Sequence, residues 1–68
     1  MARFNIDAHL SSGQRLEWLA APDKGESVQQ VVTQVRQAAI DKFGKAALFK
    51  RWKHVVSSNG FVTVQMLD

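Results

Sequence analysis

The sequence predicts an α+β domain of order ββαββ, a four-stranded sheet of two hairpins with one helix packed across one face. Three observations predict it. Apolar and polar residues alternate over 3–10 and again over 15–20, the period of a half-buried strand. An apolar stripe of helical period, with its own start and stop signals, fills 27–44. Near the end of the chain, Asn59-Gly60 marks a turn between two segments rich in β-branched and aromatic residues.

In the first segment Phe4, Ile6, Ala8 and Leu10 alternate with Arg3, Asn5, Asp7 and His9, which predicts a strand turning the apolar set inward and His9 outward. Ser11-Ser12-Gly13-Gln14 has the small residues and glycine of a short hairpin loop, and Arg15 to Ala20 then sets Leu16, Trp18 and Ala20 on one face. Ala21 to Glu26 reads as a polar loop. Ser27 is a candidate N-cap with Gln30 at capping-box spacing. Val28, Val32, Val35, Ala39 and Phe43, flanked by Val31 and Ala38, make the apolar face of a helix of about four and a half turns. Lys42 suits the negative end of its dipole, and Gly44 suits a left-handed C′ residue.

Residues 45–57 admit two readings. Leu48, Phe49, Trp52, Val55 and Val56 are spaced like a helix face, so ββααβ with a second helix at 45–57 is the alternative. The turn favours a strand. A three-residue loop at Ser58-Asn59-Gly60 pairs Val56 with Val62, His54 with Val64 and Trp52 with Met66. That register turns Trp52, His54 and Val56 toward the core and leaves Arg51, Lys53, Val55, Phe61, Thr63 and Gln65 outside. The resulting element order resembles that of the immunoglobulin-binding domains of protein G and other β-grasp-like folds. The resemblance implies a helix crossing one face of a four-stranded sheet, and no shared motif extends it to a partner.

With 68 residues the chain has room for one small core, and with no cysteine it has neither a disulfide nor a thiolate metal site to stabilise it. Trp18 and Trp52 are therefore candidate core residues, each able to bury about 200 Å². The first residues lack the apolar run of a signal peptide, and no stretch approaches a membrane span, so a cytoplasmic protein without membrane contact is the expectation. Net charge is +3, but its distribution is uneven: 1–41 hold four basic and five acidic residues, whereas 42–68 hold five basic residues and only Asp68. Such a segment favours anionic partners.

No catalytic, metal or phosphate-loop signature is present, so the sequence points to a non-enzymatic protein without cofactor, metal site or small-molecule substrate. Asp7 and His9 would share a strand face, but a lone exposed pair is a poor acid/base catalyst. His54, placed toward the core, does not meet His9 for a metal site. Two binding readings remain. Leu19, Val55 and Phe61, apolar yet outward, together with Arg51 and Lys53, suggest a protein-binding module of adaptor or inhibitor type, acting through the outer sheet face or an edge strand on a partner protein or on a second copy. Alternatively Lys45, Lys50, Arg51 and Lys53 bind nucleic acid or another polyanion, with Phe49 or Phe61 stacking on bases.

Overall fold

A computed structural model describes residues 1–67 of the chain. It contains β1 (Leu10–Ser12), β2 (Arg15–Ala20), α1 (Val28–Phe43), a 3₁₀ helix (Lys45–Phe49), β3 (Arg51–Val56) and β4 (Val62–Leu67). The strands form one antiparallel sheet in the order β1-β2-β4-β3, so the two hairpins meet through their second strands. The ambiguous segment divides in two. Its first five residues take up a 3₁₀ helix that buries Ala47, and from Arg51 it is a strand, which removes the second α-helix at 45–57.

Turn chemistry fixes both hairpins. Ser12 pairs with Arg15 across Gly13-Gln14, and φ is positive at Gly13 alone, the pattern of a two-residue II′ loop. In the second hairpin Gly60 donates to the Ser57 carbonyl at 3.0 Å and has φ of +89°, which favours glycine. The register is the one expected, with Val56 opposite Val62, His54 opposite Val64 and Trp52 opposite Met66.

The helix begins as its sequence specifies: the Ser27 hydroxyl accepts from the Gln30 N–H, while the Gln30 side chain accepts from the Ser27 N–H. It ends at the Gly44 cap, whose N–H donates to the Ile40 carbonyl at 2.8 Å. Val31, Val35 and Ala39 are fully buried, with Val28, Val32 and Ile40 half-buried at the flanks, and α1 packs on β2 and β4. Beneath it lie Trp18, Ala20, Val62, Val64 and Met66. Ala20 and Ala39 are both fully buried in this layer. Rings cluster around Trp18: it stacks on Trp52 at 6.3 Å, and His9 and Phe43 lie 6.1 and 6.2 Å from it. Each indole N–H is satisfied, Trp18 by the Ile6 carbonyl and Trp52 by that of Ala47.

The first strand departs from expectation. Only Leu10–Ser12 pairs as a strand, and upstream of it a single bridge joins Arg3 to Ala21. Between them Asn5 closes a turn, its side chain accepting from the Asp7 N–H at 3.0 Å and its carbonyl from the Ala8 N–H at 3.1 Å. This turn shifts the alternation by one residue. Ala2, Phe4 and Ile6 face the core as a period of two requires, but beyond the turn Ala8 and Leu10 are exposed and His9 is half-buried against Trp18 and Phe43. A one-residue change of phase exchanges the two faces. His9 is thus an inner residue rather than an outer one.

The other end of the sheet supplies a second correction. His54 and Val56 share the inner side with Val64 and Val62, yet both are exposed, Val56 at 48%. The physical reason is coverage: the helix lies chiefly over β2 and β4. Trp52 is only half-buried, kept there by Trp18 and by the Arg36 guanidinium 5.8 Å over its ring.

Candidate functional site

Among the described residues no layer covers the outer face of the sheet, and three transverse rows describe it. Leu19, Thr63 and Val55 form one row, Leu10, Glu17, Gln65 and Lys53 the next, and Arg15, Leu67 and Arg51 the third. Strands sit about 4.8 Å apart, so Leu19 and Val55 lie about 10 Å apart with Thr63 between them. Leu10 is 69% exposed, Leu19 61% and Val55 59%, and Phe61 extends the apolar end of the face just before β4. A groove of about 250 Å³ runs between Ala8, Leu10, Glu17, Leu19 and Thr63. Small-molecule sites usually hold about 300–1,000 Å³, so this groove fits a side chain better than a metabolite.

Charge divides the same face lengthwise. Arg15 and Arg51 flank Leu67 at the end nearer the Gly13 loop, and Lys53 stands between them and Val55. Among the described strand residues Glu17 is the one acidic side chain, and its carboxylate accepts from Gln65 Nε2 at 2.7 Å. The face is therefore apolar toward one end and cationic toward the other, with the hydrogen-bonded Glu17 and Gln65 between.

The expected partner-binding residues Leu19, Val55, Phe61, Arg51 and Lys53 are brought onto this one surface. The polyanion set is spread more widely. Lys45 opens the 3₁₀ helix in the helix layer, and Lys50 is half-buried at the sheet end near Arg15 and Met66, away from the outer-face position of Lys53. Leu10 joins this surface, although the alternation over 3–10 places it inward. The signal that would have revealed it is Asn5 two residues before Asp7, the spacing of an Asx turn that interrupts the alternation.

The acid/base residues do not converge. Asp7 is ion-paired with Lys42, whose hydrogen bond and charge hold its carboxyl below the usual range, while His9 turns inward and His54 sits on the far edge strand. Among the described residues no three His, Asp or Glu side chains group as metal ligands, and no helix is long and apolar enough to cross a membrane. Comparison with protein-family models, curated proteins and solved structures returns no match.

Proposed function

We propose that this chain is a small non-enzymatic protein-binding module, of adaptor or inhibitor type, that docks a partner protein on the outer face of its sheet. The carrying observation is the exposure of Leu10, Leu19 and Val55 together on an uncovered face. A domain this small gains from burying every aliphatic side chain it can, and clustered outward ones mark an interaction surface. The cationic end formed by Arg15, Arg51 and Lys53 favours a partner whose surface is acidic beside its apolar contact.

The test uses tagged wild-type chain and Leu19→Arg as parallel baits in native lysate, each with and without nuclease. The reading expects a nuclease-resistant protein captured by the wild type and lost with Leu19→Arg, while Gln37→Arg on exposed helix surface retains it. Equal capture by all three baits would sink it. A polyanion reading keeps one observation in its favour, the gathering of Arg15 with Arg51 and Lys53 on one surface. It requires a labelled single-stranded oligonucleotide to bind at low salt and dissociate steeply as salt rises.

A further inference from the structure

The two edges of the sheet are unlike. At one, β1 offers three residues; at the other, β3 offers six, Arg51–Val56, five of them exposed, with no proline and no partner strand beyond it among the described residues. Its outward backbone groups can be assigned. Ser57 N–H donates to the Phe61 carbonyl at 2.8 Å, so alternation makes Val55 with Thr63 and Lys53 with Gln65 the hydrogen-bonded pairs of the β3–β4 ladder. The N–H and C=O groups of Trp52, His54 and Val56 then point away from the sheet.

The strand is also polarised along its length. Arg51 and Lys53 occupy the first half, Val55 and Val56 the last. Basic residues ordinarily protect an edge from pairing, but here they protect half of it. An antiparallel second copy laid along this edge sets each basic half against the other's apolar half.

We propose that β3 pairs with β3 of a second copy of this chain, antiparallel and centred on His54. In this register Lys53 lies opposite Val55 of the second copy and Trp52 opposite its Val56. Setting Lys53 on itself would oppose two cations, and setting Val55 on itself would shorten the ladder. The even register keeps both helices on one side and joins the sheets into eight strands. About six inter-chain hydrogen bonds close the three outward-facing residues of each copy. Val56, exposed in the single chain, covers the half-buried Trp52 of its neighbour. This goes beyond the outer-face reading and does not depend on it, since pairing at the edge leaves Leu10 and Leu19 open.

Sedimentation velocity over a concentration series reaching about 1 mM tests it, a range that populates even a weak interface. The wild type should shift from monomer toward dimer. Val55→Glu faces Lys53 of the second copy twice by symmetry and should tighten the dimer about tenfold, whereas Val55→Lys should weaken it by about as much. His54→Pro removes an N–H that faces off the sheet, so it should abolish the dimer while the amide spectrum of β2 and β4 stays that of the folded chain. Leu19→Arg should leave the dimer unchanged. A monomer at every concentration would overturn the proposal, as would equal weakening by both charges at 55, and loss of the dimer in Leu19→Arg would move the contact to the outer face.

Discussion

The two faces of this sheet are built from the same strands and have opposite fates. On the inner face Trp18, Ala20, Val62 and Val64 are at most 1% exposed, beneath α1; on the outer face Leu19, one position from Trp18 and Ala20 in β2, is 61% exposed, and Val55, across Thr63 from it, is 59% exposed. Alternation alone gives both faces apolar side chains, and only the position of the single helix decides which set becomes core. Both surfaces of the sheet carry apolar side chains, and among the described residues the helix layer covers one of them. Burial is therefore concentrated on one face and the proposed binding surface on the other, and substitutions should separate the two.

Trp18→Ala should show the largest effect. It removes the largest fully buried side chain together with its contacts to Trp52, Phe43 and His9 and its bond to Ile6, and should cost about 3–5 kcal/mol by urea denaturation, enough to unfold much of a domain this small. Ala39→Leu tests the same face by overfilling it. Ala39 has no exposed surface where the helix meets the sheet, so the variant should lose about 1–3 kcal/mol. Ser27→Ala removes half of the capping box and should cost about 1 kcal/mol, read as a lower thermal midpoint with an unchanged folded spectrum.

Acid should act on the margins of the inner layer. Asp7 is held below its usual range by Lys42, Asp23 by the Lys24 N–H, and Glu26 by the Asp23 N–H and then by Gln34, whose own carbonyl accepts from the Ala2 N–H at 2.7 Å. A carboxyl with a depressed folded-state pKa contributes stability above its unfolded value, near pH 4, and that contribution is lost as pH falls through the lower folded value. Amide signals of Ala2 and Arg3 should thus respond below about pH 4, before those of β4. The smallest effect belongs to the outer face: Leu19→Arg should change stability by no more than about 0.5 kcal/mol, and a loss like that of Trp18→Ala would show the two faces to be energetically one.

Legibility in the sequence followed the locality of the signals. Ser27 with Gln30, and Ser57 through Gly60 with its flanking valines, carry complete instructions within a few residues, so the helix start and the register of the second hairpin could be read directly. The first strand could not. Its alternation is genuine up to Ile6, but the side chain of Asn5 competes with the ladder for backbone N–H groups and wins, and the pattern beyond it belongs to the opposite face. The exposure of His54 and Val56 was not legible either, because it depends on where the helix lies across the sheet, chiefly over β2 and β4, rather than on anything within β3. In the site, Leu19, Val55, Arg51 and Lys53 followed from register, and Leu10 was lost with the phase.

The meeting of the hairpins through β2 and β4 also sets an order of events. Each hairpin closes a short loop and needs nothing from the other, whereas Leu16 reaches Met66 across about fifty residues. Joining the central pair is the entropically demanding step, and it creates the floor on which the helix rests. Slowest hydrogen exchange is accordingly expected at Trp18 and Val64, with the outer edge of β3 opening first.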